Sequence, residues 1–492
     1  MKEGAIPLVN CGKKCDLLQF IESKIKSNQV TMAPRTLADP RLHLPRLLLK
    51  NPGAKSTELA GLAQVSTPTM VRMLNEMEVD VLRLGKARGT RYFLRRSLRG
   101  LPSSAPVFAL DQDGGASKVG QLALIAPQGT VLDVAGMGWP VEKEFAHGVW
   151  PDGLPYPLQD MKPQGFMGRQ FAHQESSALG ISSNPGEWCD DDILLILLSR
   201  GADTSGNLIV GDTALSLWLQ SKAGPQTVLG EDSVLAGYLA CAEQASSRGI
   251  AGSSAAGEFP KFTALRELPG ARTVHVIVKY SANDRSDTVR RWSDLLICEH
   301  HALQAIRRIP GVQSASSRVL QHGGRTFLEV ERFDRHGLFG RSPLCSLDTL
   351  EASMLPGTST DWGDAGDMMR AQGWLNADAA KHLRSIWAFG KLIGNTDMHK
   401  GNLSFVPGPN MQVAPVYDML PMAYAPMAGG EIPTPGYAPG LPKPKDRDAW
   451  LAASQAAQDF WLRAMQDDRI SERFRQISEA NLQELDRLMK LA

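Results

Sequence analysis

The chain has 492 residues, 43% hydrophobic and 21% charged, with a formal net charge of +1. That length suits two to four domains, and the composition is ordinary for a soluble globular protein. No run of about 18 apolar residues occurs, so no membrane span is expected.

Six cysteines are too few and too scattered for a disulfide framework. Cys11 and Cys15 lie close together, but no second ligand pair follows at zinc spacing. All six read as free thiols in a reducing compartment. The apolar run Ala5 to Val9 is too short for a signal peptide, which leaves the cytoplasm as the default. The charge is unevenly placed. Residues 1–96 carry 17 Lys/Arg against 8 Asp/Glu, a net of +9, and the remainder carries a net of −8. A basic head on an acidic body suggests that the head meets an anion such as nucleic acid.

Residues 1–31 form a leader that is hard to place. Leu17, Leu18, Phe20, Ile21 and Ile25 have the spacing of a short amphipathic helix, while Met32 would serve equally as a start. From Ser56 the pattern becomes compact. Ser56 can cap a helix through Ala63, and Gln64-Val65-Ser66 turns into a second helix from Thr67 to Met77 with Pro68 in its first turn. Val71, Leu74 and Met77 of this helix would face inward. Strands at 79–84 and 91–94 flank the basic turn Gly85 to Gly89. Helix, turn, helix and hairpin together predict a winged helix-turn-helix over 32–100. Thr67, Thr69 and Arg72 would meet the DNA from the recognition helix, with Lys86, Arg88 and Arg91 meeting it from the wing.

Residues 97–105 read as a linker. Short strands at 120–125 and 130–133 follow, then a helix at 190–198 that ends in Gly201-Ala202-Asp203-Thr204-Ser205-Gly206 and a strand at 207–210. Residues 270–335 have stronger β character. Residues 364–405 and 444–490 are mainly helical, with a Pro/Gly-rich stretch at 421–443 between them. The fold class expected is α+β: a winged helix followed by a β-rich lobe over 106–345 and a helical lobe over 346–492, the bilobal layout of a protein kinase.

Phosphoryl transfer needs a group for the phosphates, a positioning group for the hydroxyl and metal ligands. Val274 to Tyr280 is an apolar strand that delivers Lys279, which must be paired or face a cleft. Glu299, on a helix from Trp292 to Ile306, is its candidate partner. The strand Thr326 to Phe333 runs into a lobe junction, where its backbone and Phe333 would meet an adenine. Gly394-Asn395-Thr396-Asp397-Met398-His399-Lys400-Gly401-Asn402 places Asp397 and Asn402 five residues apart in a loop. Asp397 would orient and deprotonate a hydroxyl, and Asn402 with Asp418 would offer Mg²⁺ the hard oxygens it prefers. His399 would act in catalysis by organising the loop or be structural. Ser253 to Phe262 precedes the Lys279 strand, where a phosphate-covering loop would lie.

These pieces resemble the HipA-type serine/threonine kinase toxins, and particularly their YjjJ-like subgroup, over about residues 106–480. The matching strings are Ser254-Ala255-Ala256-Gly257 with Lys261, Ile277-Val278-Lys279, Glu299-His300, Val330 to Arg335, the loop Gly394 to Asn402, and Pro415-Val416-Tyr417-Asp418. Gly201 to Gly206 also resembles the family's first subdomain.

The resemblance implies ATP and Mg²⁺ as cofactors and a protein hydroxyl as acceptor. It assigns Asp397 as base, Asn402 and Asp418 as metal ligands, and Lys279, with Lys261, to the phosphates. Glu331, through its backbone, and Phe333 would line the adenine site. Ser254 would be the autophosphorylated serine, and an antitoxin the partner. The family's loop usually reads Ser-x-x-Gly-x-Gln-x-Lys, and Phe259 stands here at the glutamine position. The usual family kinase also lacks the amino-terminal winged helix. Two other readings remain beside the kinase: a DNA-binding transcription regulator with a kinase-like sensor body, and a Mg²⁺-dependent nucleic-acid-cleaving toxin. Double-stranded DNA is the expected partner of the head, and a homodimer would let it read a palindrome.

Overall fold

The structure, a computed structural model, describes residues 40–247, 259–355, 357–427 and 429–492. The leader helix around Leu17 to Ile25 and the candidate serine Ser254 lie outside these residues.

The head opens with a helix that the sequence pattern did not announce, α1 (Pro40–Lys50). Leu44 and Leu48, one turn apart, are fully buried against the next helices. Pro45 lies inside α1 and disguises it, because an interior proline removes a ladder hydrogen bond. α2 (Ser56–Leu62) is capped at Lys55 rather than Ser56, and the Glu58 carboxylate accepts the Lys55 N–H at 2.8 Å. α3 (Thr67–Glu76) has Ser66 as its cap, with Oγ accepting the Thr69 N–H at 3.3 Å. Its fully buried residues are Met70, Met73 and Leu74. Val71 and Met77 are only half-buried. The hairpin β1 (Val81–Leu84) and β2 (Arg91–Leu94) completes the head, and Val79, expected in the strand, is 87% exposed before it.

The 97–105 stretch is packed rather than loose. Arg96 donates bidentately to Asp191 (2.7 and 2.9 Å) and through Nε to Ile125 O (3.1 Å). Arg99 pairs with Asp192 at 2.5 Å, and Leu98 is buried. Phe93 of β2 shares an apolar cluster with Ala123, Ile125 and Val131, so the hairpin is seated on the next sheet. That sheet contains β3 (Ser104–Leu110), β4 (Ala116–Leu124), β5 (Thr130–Val131), β6 (Val149–Trp150) and β7 (Leu208–Val210), in antiparallel order β6-β5-β4-β3-β7. α4 (Asp190–Arg200) backs it with a nearly continuous buried apolar run, and α5 (Asp212–Ala223) follows β7.

A second five-stranded sheet holds β8 (Val228–Leu229), β9 (Lys261–Arg266), β10 (His275–Tyr280), β11 (Ser317–His322) and β12 (Arg325–Glu331), ordered β11-β12-β10-β9-β8. Val276, Val278 and Tyr280 of β10 point to one face and pack on Tyr238 and Ala242. The alternate face therefore carries His275, Ile277 and Lys279. α6 (Asp287–Ala305) buries Trp292, Leu295, Leu296, Ala302 and Leu303, each leucine worth about 1.5–3 kcal/mol of burial. It also buries Glu299 and Asp294. Asp294 accepts from the Ser471 backbone (2.7 Å) and hydroxyl (2.6 Å), which fixes α6 to the cap of the last helix. After α6 come α7 (Leu347–Met354), α8 (Trp362–Ala371), α9 (Ala377–Leu392), α10 (Arg447–Gln466) and α11 (Glu472–Met489). A β-sheet lobe and a helical lobe thus share one apolar core that runs through α6. Among the described residues no helix is long and apolar enough to cross a membrane.

Candidate active site

Lys279 sits near the inner end of β10, 5% exposed. Its Nζ lies 2.7 and 2.8 Å from the two Glu299 oxygens and also contacts Asp418 Oδ1. A strand, a helix and a loop 139 residues further along thus converge on one ammonium. Burial, with the Asp418 charge nearby, pushes the Glu299 carboxyl up to about 7. Burial would also raise Asp418, but Lys279 and then Lys261 outweigh it and hold that carboxyl down to about 2. Lys261 stands opposite Lys279 in the register of β9 and β10. Asp418 occupies the left-handed region, with φ of 53°, where a non-glycine residue is uncommon and strained.

The loop after α9 is built by local rules. Gly394, at φ of 74°, terminates the helix, and the Asn395 N–H returns to Gly390 O at 2.8 Å. Buried Asn395 then accepts the Asp397 N–H at 2.9 Å. Asp397 stands exposed at the turn. Asn402 Nδ2 donates to Asp397 O at 2.9 Å, so its Oδ1 is the atom left for a cation. His399 Nδ1 accepts the Gly401 N–H at 3.1 Å, which gives the ring a loop-organising contact. The described residues contain no group of three or more His, Cys, Asp or Glu side chains that would hold a metal alone. Mg²⁺ is commonly held by one or two protein oxygens plus phosphate and water, and an amide with a carboxylate fits that donor set.

Comparison with known proteins gives the family. Residues 101–219 match the family described as YjjJ-like toxin, middle domain, and residues 253–484 match the HipA-like C-terminal domain. The chain is 36% identical to Toxin YjjJ of Escherichia coli K12 over 438 residues, covering 89% of this chain and 95% of that one. This chain belongs to the YjjJ-like, HipA-related toxin family. Membership supports a kinase-like toxin function in general terms. Two solved structures align at low identity. A Shewanella oneidensis HipA, solved with HipB and operator DNA, gives 16% identity and a TM-score of 0.46, covering 78% of this chain and 96% of that one. The Helicobacter pylori proinflammatory kinase CtkA gives 14% and 0.33, covering 47% and 88%. The family assignment rests on the sequence matches.

In this YjjJ-like chain the backbone at the end of β12 is already engaged. The Glu331 N–H is committed to Ser316 O (2.9 Å) and the Arg332 N–H to His275 O (3.0 Å). Phe333 lies 5.6 Å from the Tyr417 ring. Phe259, at the family's glutamine position, is 7% exposed and packs edge-on against Trp292 of α6 at 4.8 Å. An aromatic ring at that position is accommodated by Trp292.

Three supports went unread in the sequence. Tyr417 Oη donates to Gly401 O at 2.8 Å, Lys400 pairs with Glu351 at 2.5 Å, and Asn395 sets the turn before Asp397. Only Asn395 had a local signal, an Asx residue two before the residue it holds.

Proposed function

We propose that this chain is an ATP- and Mg²⁺-dependent serine/threonine protein kinase of the cytoplasm with a DNA-binding head. The observation that carries the reading is the convergence of Lys279, Glu299 and Asp418, together with the loop that presents Asp397 and Asn402. Lys279 would turn from Asp418 to the ATP phosphates while Glu299 keeps it aimed, and Lys261 would add charge at the same end. The Glu331 carbonyl and Phe333 would seat the adenine. Asp397 would accept the proton of the attacking hydroxyl, and His399 would hold the loop in register. Asn402 Oδ1 and Asp418 would hold Mg²⁺, which when bound neutralises phosphate charge. Ser254 is the proposed autophosphorylation site.

For the head, residues 32–100 are proposed as a winged helix that binds double-stranded DNA. Arg72, Lys86, Arg88 and Arg91 are exposed, and Thr67 and Thr69 stand at the start of α3. The Thr69 hydroxyl already shares a 2.8 Å hydrogen bond with Ser66, so it would contact DNA as a pair with that residue. A two-fold homodimer and an antitoxin partner belong to the same proposal. The chain is divided accordingly into lobes over 106–345 and 346–492.

The test is incubation of the full chain with radiolabelled ATP and Mg²⁺, alone and with a cytosolic extract. Phosphate should transfer to protein serine or threonine, and Asp397→Asn should slow transfer about 10²–10⁴-fold while calorimetry still detects ATP. Absence of ATP binding by the wild-type chain would sink the kinase reading.

A further inference from the structure

A second cavity, of roughly 440 Å³, opens where the 202–229 region meets β9, β10 and the segment after β12. None of the residues assigned above to the nucleotide or metal lines it. Arg332, Arg335 and Arg341 do. Arg335 and Arg341 are 2% and 5% exposed.

Two carboxylates serve these three guanidinium groups. Asp334 is bidentate with Arg332 (3.0 and 2.9 Å) and accepts from Arg335 at 2.6 Å. Asp203, from the Gly201 to Gly206 loop, lies 2.8 Å from Arg335, 3.5 Å from Arg341 and 3.8 Å from Arg332. The cluster therefore keeps one uncompensated positive charge. The shortfall shows at Arg341: its Nη2 donates to Ala202 O at 2.8 Å, but its Nη1 has no hydrogen-bond partner. Burial and the adjacent Arg335 push its guanidinium down to about 9. Buried unpaired donors of this kind are costly, and an oxyanion relieves both the charge and the missing bond. Asp203 lines the same cavity and already acts as an internal anion on these guanidinium groups.

The rest of the lining is of a different kind. Trp218 and Phe339 line it with aromatic rings, and Lys222, outside the lining, stands 5.1 and 5.4 Å from their ring centres while donating to Gly114 O at 2.6 Å. A cationic floor beside a flat apolar wall selects a compact oxyanion on a flat apolar body. We propose that this cavity binds a small organic anion, its phosphate or carboxylate head taken by Arg341 and Arg335 and its ring lying on Trp218 and Phe339.

The site is tested by calorimetry on the full chain with phenyl phosphate and benzoate as probes, each with and without saturating Mg²⁺-ATP. At least one probe should bind the wild-type chain and stay bound in the presence of ATP. Stronger binding of phenyl phosphate identifies a phosphate monoester, and stronger binding of benzoate a carboxylate. Arg341→Gln should weaken the better probe at least about tenfold, the loss expected for one charged hydrogen bond. Arg341 is buried and its variant is open to misfolding, so Thr227→Trp serves as a second test, crowding the mouth from an exposed rim position. Thr227→Trp should abolish probe binding with ATP affinity unchanged. The proposal is overturned if neither probe binds up to the millimolar range, if ATP displaces them, or if Thr227→Trp binds them as the wild type does.

Discussion

At Lys279 a single ammonium serves two carboxylates, and its removal has two separable effects. Lys279→Met should abolish ATP binding in calorimetry. It should also lower stability in urea unfolding by about 3–5 kcal/mol, because Glu299 keeps its burial and loses its cation while half-buried Asp418 loses the same partner. Glu299 gives a pH signature of its own. Its folded carboxyl, raised to about 7, holds a proton that the unfolded chain has already released above the ordinary glutamate value of 4.5. Native protein binds more protons in that window, so stability falls as pH rises from 4.5 to 7 and levels above it, by at most about 1.4 kcal/mol per pH unit. Asp418 works oppositely: its contribution is present above about 4 and is lost as pH falls toward 2. Glu299→Gln should flatten the decline between pH 5 and 7 in unfolding curves and leave the acid limb in place. An unchanged slope would mean that Glu299 is ionised throughout that window.

Among the elements, the turn that ends α9 has the clearest consequence. Gly394 holds φ of 74°, which an L-residue adopts at a cost of about 1–2 kcal/mol. Gly394→Ala should lower the unfolding free energy by that amount and slow phosphotransfer more than it weakens ATP binding, since the strain falls just before Asp397. Equal losses in both would place the effect in the lobe as a whole. The same loop shows what a sequence discloses. Gly394, Asn395, Asp397 and Asn402 act on neighbours within a few residues, so their spacing carried most of the geometry. Lys279 and Glu299 were legible as a strand end and a helix face, and their meeting followed from a 20-residue separation. α1 was missed because Pro45 interrupts an otherwise regular leucine spacing. The buried face of α3 was misplaced because Val71, Leu74 and Met77 also fit a helical period, and only packing in the head's core, chiefly on α2, chose Met70, Met73 and Leu74. The arginine cluster was illegible, since Asp203 and Arg341 are 138 positions apart and meet only through the fold.

For the whole molecule, the seam between head and body matters most. Arg96 is 7% exposed, anchored by Asp191 and by two backbone carbonyls. Arg96→Ala leaves those acceptors unpaired and should cost about 2–4 kcal/mol. The loss should appear as faster hydrogen exchange over residues 95–103 and 124–128, with the 397–402 loop unaffected. Exchange that rises equally in both regions would mean that the seam and the catalytic lobe unfold as one unit. The packing of the linker was not legible because Ser, Pro and Arg read as solvent-facing until Asp191 and Asp192 are seen across from them. A junction buried in this way also fixes a ratio. Two modules held in one chain meet at an effective concentration set by geometry, not by how much protein a cell contains. Dilution, which separates partners made as independent chains, cannot change the one-to-one pairing of this head with this body.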